Sequence, residues 1–319
     1  MSVAITLASG NHAMFSVIIP VHNKKEHVVA AIESVLAQTY DGYELILIDD
    51  CSTDGSAELL RPYESDRVRI FKRDTPGPGG YAARNLGVEK SNNKWVTFLD
   101  ADDVWYSNHL QAAHDLIEKY EEVDFFSFSR DKIFRGEKSG FFHPREEQID
   151  RDTALARFSR RDIFHTNAVA IKRELFIEAG GFPAGQCKRG GDSDLWLRLL
   201  LKCGSIVVSP VVTSCYALDN SGVIYGKSKV ERQHPVQKTV IDFIKNNPDS
   251  KVKSRLKKLS NRKNISWLAA RKRSGDFSLS ELSVIYYSCL DLAGVKQLLK
   301  LIVPLPVTKF TASIRKTPT

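Results

Sequence analysis

The sequence predicts an α/β protein: a mainly parallel, twisted sheet with flanking helices, followed by a basic, mainly helical C-terminal extension. Three observations lead there. Short β-branched apolar runs alternate with helical patterns through the first two-thirds of the chain, and runs that are apolar on both sides suit strands covered on both faces. Strand–helix–strand repetition implies right-handed crossovers and parallel pairing. The charge then changes sign: residues 227–319 hold 20 Lys and Arg against 6 Asp and Glu, a balance of +14, while residues 1–226 sum to −6. Two parts of opposite charge imply two roles. The expected division is a tail over 1–14, an α/β domain over 15–225 and the extension over 226–319.

Taken in order, "FSVIIPV" (15–21), "YELILIDD" (43–50), "VRIFKRD" (68–74) and "WVTFLD" (95–100) read as strands. Between the first two, Val28, Ile32 and Leu36 recur at i, i+4 and i+8, one face of a helix over 25–38. Residues 53–60 and 82–90 supply two more helices, the first opened by "STDGS" with Ser52 or Thr53 as N-cap. Past residue 104 the pattern is less regular. A helix is expected over 108–120, extended segments over 123–129 and within 167–176, and a helix over 192–204 that turns Leu195, Trp196 and Leu199 inward. A last extended stretch covers 206–218, and the basic region is densest over 253–273.

Composition bounds the chemistry. With 319 residues, 42% apolar and 26% charged, the chain can bury a full core. Five scattered cysteines form no CxxC pair, which fits buried thiols in a reducing compartment. Eight histidines form no HExxH pair. The first 15 residues lack a basic leader and a long apolar stretch, and the apolar run 298–307 is broken by Pro304 and Pro306, so a cytoplasmic protein without a spanning helix is expected.

In parallel sheets ligands bind at the carboxyl ends of strands. Pro20, Asp49-Asp50 and Asp100-Ala101-Asp102 all fall there. In "WVTFLDADD" the carboxylates of Asp100, Asp102 and Asp103 crowd together, and like charges this close call for something positive among them. Asp-Ala-Asp puts two carboxylates on one side of an extended segment, which suits a hard divalent cation that also binds phosphate oxygens. A solvated turn is the plainer alternative. Asp49 and Asp54 could cap the following helix, Arg84 could form a surface ion pair, and "GPGG" (77–80) reads as a turn.

The ordered blocks "SVIIPVHN", "AIESVLAQTY", "ELILIDDCSTDGS", "GGYAARNLGV" and "WVTFLDADD" resemble the family-2 glycosyltransferases, over roughly residues 15–225. These are inverting enzymes of the A-type glycosyltransferase fold that use nucleotide-diphospho-sugars. The resemblance implies that Pro20, His22 and Asn23 line the nucleotide pocket, with Asp50 or its neighbour Asp49 on the base. It places Arg84 at the nucleotide or its phosphates, Asp100 and Ala101 along the donor with Asp100 at the ribose, and Asp102 on Mg²⁺ or Mn²⁺, with Asp100 and Asp103 as further ligands. In "GGDSDLWLRL", Asp192 aligns with the family's catalytic base and Asp194 is its rival, while Gly191 stands where the family carries glutamate. His165 could face the acceptor or be structural, and Trp105 could stack on a sugar or belong to the core.

By the same resemblance, the donor is a UDP-sugar and the acceptor a glycan or lipid-linked saccharide of a cell-surface polymer. Two alternatives stay open: a nucleotidyltransferase, which should carry a Gly-rich signature loop where "PVHNKKEHV" stands, and a non-catalytic scaffold of the same fold. The basic extension reads as a solvated face or as an anionic-membrane contact at the inner face of the cell membrane, with 284–307 supplying apolar anchorage. Nucleic acid is the least supported partner, because no recognition motif accompanies the charge.

Overall fold

The computed structural model describes residues 14–217 and 231–302. Its ten strands are β1 (Phe15–Val21), β2 (Tyr43–Asp49), β3 (Val68–Lys72), β4 (Trp95–Phe98), β5 (Val104–Trp105), β6 (Phe125–Phe134), β7 (Glu137–Phe141), β8 (Glu147–Asp150), β9 (Val169–Lys172) and β10 (Ser205–Ala217). They form one sheet in the order β3-β2-β1-β4-β9-β6-β10-β5, with β7 on β6 and β8 on β10. The first four strands run parallel, as the alternating pattern requires. Beyond β4 the sheet becomes mixed: β9 is antiparallel to both β4 and β6, and β10 lies parallel to β6. Residues past 104 therefore extend the same sheet.

Among the described residues, seven α-helices accompany it: α1 (Val28–Leu36), α2 (Ser56–Leu60), α3 (Tyr81–Lys90), α4 (His109–Lys119), α5 (Arg151–Arg160), α6 (Arg173–Glu178) and α7 (Gly191–Lys202). Alternation along β1 sends Phe15, Val17, Ile19 and Val21 to the face packed by α1 and α4, and Ile18 to the face packed by α3 and α7. Both sets are fully buried, so each large side chain contributes about 1.5–3 kcal/mol. That two-sided burial explains why the strand reads as a continuous apolar run.

One helix start differs from expectation. α2 begins at Ser56 behind Gly55 at φ 92°, and neither Ser52 nor Thr53 caps it. Asn23 Oδ1 takes the Thr53 N–H (2.8 Å), and Asp54 takes the N–H groups of Ser56 (2.9 Å) and Lys25 (3.0 Å). These bonds stitch the loop after β2 to the loop after β1 before any helix can start.

The extension supplies α8 (Val236–Asn246), α9 (Ser250–Ser274) and α10 (Leu292–Ile302). Asp249 caps α9 through the N–H groups of Lys251 and Val252, and Gly275 ends it at φ 81°. Val252, Leu256 and Leu259 of α9, which packs on α5, join the main core, while Ile265 and Leu268 form a smaller cluster with Val284, Ile285, Leu298 and Leu301. The expected boundary at 225/226, most of the tail 1–14 and the end of the segment 284–307 lie outside the described residues. Among those described, no helix is long and apolar enough to cross a membrane.

Candidate active site

The ends of β1, β2 and β4 open on a cavity of about 410 Å³, whose far wall is the start of α7. Pro20, His22, Asp50, Arg84, Asp100, Ala101, Asp102 and Asp192 all line it. The ends of three strands, as the strand-end rule anticipates, and two helices, α3 and α7, therefore meet in one hollow.

Asp50 stands at the end of β2, 1% exposed, where the Arg73 guanidinium pairs with it and the Gly77 N–H donates to it (3.2 Å). Its backbone carbonyl lies 2.7 Å from His22 Nδ1. Two of the residues expected at the nucleotide stay outside the cavity lining. Asn23 turns to Thr53, and Asp49 accepts from Ser52 N (3.0 Å) while its Oδ2 has no partner among the described residues. The Asp50 alternative is thus the one that faces the hollow.

The acidic cluster is the electrostatic centre. Asp100, Asp102 and Asp103 each offer a carboxylate oxygen within 4.8 Å of the others. Two cations answer the crowding. Arg84, rising from α3 and 8% exposed, pairs with Asp100; Lys24, just past β1, lies 2.5 Å from Asp102 Oδ2. Burial works to raise the Asp100 pKa, but the Arg84 guanidinium outweighs it and holds the carboxyl below its usual range. Asp102 moves the other way, pushed up by burial and then by the charge of Asp100 against the pull of Lys24. Asp103 is pushed up to about 8 by burial and by both neighbours. It points away from the cavity and accepts from Asn167 Nδ2 (2.5 Å) and Ala217 N (2.7 Å). Asn167 also accepts the Asp100 N–H (3.0 Å), so one buried amide clamps both ends of the cluster.

This donor set fits a hard divalent ion. It is all carboxylate oxygen, two members face the cavity, and two carry raised pKa values that a nearby positive charge would relieve. Asp102 and Asp100 are the residues able to hold it, with Asp103 behind them.

Across the hollow, Asp192 lies in the first turn of α7, behind Gly190 at φ 75°. Its carboxylate makes no hydrogen bond to any described residue and lines the cavity. The rival Asp194 is buried elsewhere, held by Arg198 Nε (2.8 Å) and Thr239 Oγ1 (2.6 Å). The glycine before Asp192 has a steric reason. A Cβ at Gly191 would lie 2.7 Å from Pro183 Cγ and 2.8 Å from Tyr81 Cε2, so no glutamate fits, and the Gly191 N–H donates to Tyr81 Oη instead (2.9 Å).

His165 lines the cavity beside Tyr216, ring centroids 4.9 Å apart, and burial pushes its pKa down to about 3, so it is neutral. Trp105 belongs to the core: it is 4% exposed and its Nε1 donates to Asn167 O (2.8 Å). Lys24, Tyr81, Asn167, Lys188 and Arg189 also build the site but had no signal of their own, although Asn167 stands in the "IFHTN" stretch.

Comparison with known proteins gives the family and the fold. Residues 16–184 match the model of glycosyl transferase family 2, and the chain belongs to that family. It is 28% identical over 225 residues to a putative teichuronic acid biosynthesis glycosyltransferase, TuaG, of Bacillus subtilis, covering 69% of this chain and 85% of that one. It is 40% identical over 129 residues to an uncharacterized glycosyltransferase of Rickettsia bellii, covering 40% of this chain and 18% of that one. The chain thus spans about a fifth of the length of the Rickettsia relatives it matches. The crystal structure of Staphylococcus aureus TarS 1-349 in complex with UDP-GlcNAc superposes with a TM-score of 0.66 at 16% identity, over 90% of this chain and 79% of that one, which shows a shared fold.

Proposed function

We propose that this chain is a metal-dependent, inverting glycosyltransferase that moves a hexosyl unit from a nucleotide-diphospho-sugar to a hydroxyl of a cell-surface polymer. The observation that carries this reading is the opposition of two acidic centres across one cavity: Asp100, Asp102 and Asp103 at the end of β4, and Asp192 at the start of α7. Asp50, deep beside His22, suits the donor's base, and the pairing of Arg84 with Asp100 fixes the floor beneath its ribose and phosphates. Mg²⁺ or Mn²⁺ on Asp102 and Asp100 would supply the positive charge that stabilises the departing diphosphate. Asp192 accepts the proton of the acceptor hydroxyl as its oxygen bonds to the anomeric carbon and the sugar–phosphate bond breaks. Attack from the face opposite the leaving group inverts the anomeric centre.

The UDP donor rests on the fold shared with TarS, solved with UDP-GlcNAc, and the cell-wall polymer on the likeness to TuaG. A screen of sugar nucleotides with Mg²⁺ and Mn²⁺, reading nucleotide release and product anomer by NMR, tests it. One donor should be turned over only with metal, to the inverted anomer. Retention of configuration, or turnover in chelator, would refute it.

α10 favours attachment at an anionic membrane surface. It turns Leu292, Val295, Leu299 and Ile302 outward, 39–71% exposed, on one stripe beside the exposed Lys296 and Lys300. An apolar stripe flanked by lysines fits a headgroup layer of opposite charge. Flotation at low salt with phosphatidylglycerol vesicles, but not with phosphatidylcholine ones, is expected, and protein left at the bottom with both would reject it.

A further inference from the structure

We propose that Lys263, reaching from the C-terminal extension, is a positioning residue for Asp192, so that the extension completes the active site. The inference rests on the reading of Asp192 as the base.

Lys263 lies in α9, 8% exposed. Its Nζ donates to Ser193 Oγ (2.6 Å) and pairs with Asp162 (2.7 Å), which Arg262 also holds (2.8 Å). An apolar side chain of similar length would fill this space without the desolvation of an ammonium. A buried charge kept in such a place is best explained by the geometry it imposes. Here that geometry belongs to Ser193, the residue that follows Asp192 in the first turn of α7.

Lys263 does not act by itself. Glu231 Oε1 accepts the Lys188 N–H (3.0 Å), the His234 ring leaves no room for a side chain on Gly190 (2.8 Å from a Cβ there), and Thr239 Oγ1 donates to Asp194 (2.6 Å). The extension thus grips positions 188, 190, 193 and 194 from behind, while Lys188, Arg189, Gly190 and Asp192 face the cavity. Among the described residues, Lys263, Ser193 and Asp162 bond to one another and to Arg262, and none of them bonds to the ends of β1, β2 or β4. α7 has no side-chain N-cap, and its first turn is held from two sides: from the extension at Ser193 and Asp194, and from α3 at the Gly191 N–H, which donates to Tyr81 Oη (2.9 Å). A general base must sit within hydrogen-bond reach of the acceptor hydroxyl, and a displacement of about 1 Å can lower turnover about 100-fold.

The test compares Lys263→Met, which keeps length and removes charge, with Arg271→Met, which breaks the buried Arg271–Glu281 pair of the same helix away from the cavity. Transfer kcat, UDP affinity by calorimetry and Tm are measured for both. The expected result is a kcat loss of about tenfold or more in Lys263→Met with UDP affinity within about twofold, and an unchanged kcat in Arg271→Met even where its Tm falls as far. Full kcat in Lys263→Met, parallel losses in both variants, or loss of UDP affinity together with kcat would overturn the inference. If Lys263→Met does not fold, Ser193→Ala removes only the hydroxyl: lowered kcat with UDP affinity intact supports the proposal, and unchanged kcat overturns it. Asp192→Asn separates the layers. If it still transfers sugar, the base assignment fails; if it is inactive while Lys263→Met is fully active, only the positioning role fails.

Discussion

Lys24 Nζ lies 2.5 Å from Asp102 Oδ2, so a cation from the loop after β1 holds the carboxylate best placed to bind metal. The ammonium offsets part of the repulsion within the acidic cluster, the same task a divalent ion would perform. Lys24→Met should therefore lower the Tm of metal-free protein by a few degrees, about 1–2 kcal/mol for a partly buried pair, and Mn²⁺ should recover most of that loss. Scanning calorimetry with chelator and with Mn²⁺ checks this. An equal deficit in both conditions would separate Lys24 from the metal site.

Restoring the family's glutamate should harm the protein. At position 191 a Cβ meets Pro183 and Tyr81 at 2.7–2.8 Å, and both neighbours are packed against the turn that carries Asp192. Gly191→Glu is expected to cost about 1–3 kcal/mol through overpacking and to lower transfer by about tenfold or more. Activity assays together with thermal melts decide it, and a gain in activity would show that the wall is not rigid.

Acid should destabilise the fold through buried histidines. Burial pushes His109 down to about 3 and His143 to about 4, and holds His234 well below its ordinary value. Below about pH 6.5 the unfolded chain binds protons that the native state refuses, so stability is lost as pH falls from about 6.5 toward 4, by up to about 1.4 kcal/mol per unit for each group. His109 stacks on Trp105 at 3.8 Å, its Nε2 lies 3.2 Å from Thr97 Oγ1, and its buried Nδ1 has no partner among the described residues. His109→Phe should keep stability at pH 7 and flatten the acid slope. Urea unfolding between pH 4.5 and 7.5 provides the measurement.

Much of the cavity's strand-end lining was legible in the sequence because strand ends announce themselves: an apolar run fixes the strand, and a polar residue that breaks it falls at the crevice. Pro20, Asp50 and Asp100 follow from that rule, and the family pattern adds Arg84 and Asp192. Asn23 and Asp49 show its limit, since adjacent residues at a strand end point to opposite sides. The partners that hold the site were not legible. Lys24 meets Asp102 across 78 positions and Lys263 meets Ser193 across 70, and a lone lysine carries no local sign of such a contact. The break of parallel order after β4 was hidden for a related reason, because β9 and β6 pair antiparallel through connections with no tight-turn signature.

The most direct test of a metal-held donor is titration calorimetry of UDP into wild-type protein and Asp102→Ala, each with Mn²⁺ and with chelator. Wild type should bind UDP at least about tenfold more tightly with Mn²⁺, and Asp102→Ala should fold normally yet lose that gain. UDP affinity that responds equally to Mn²⁺ in both proteins would contradict the assignment of the β4 aspartates.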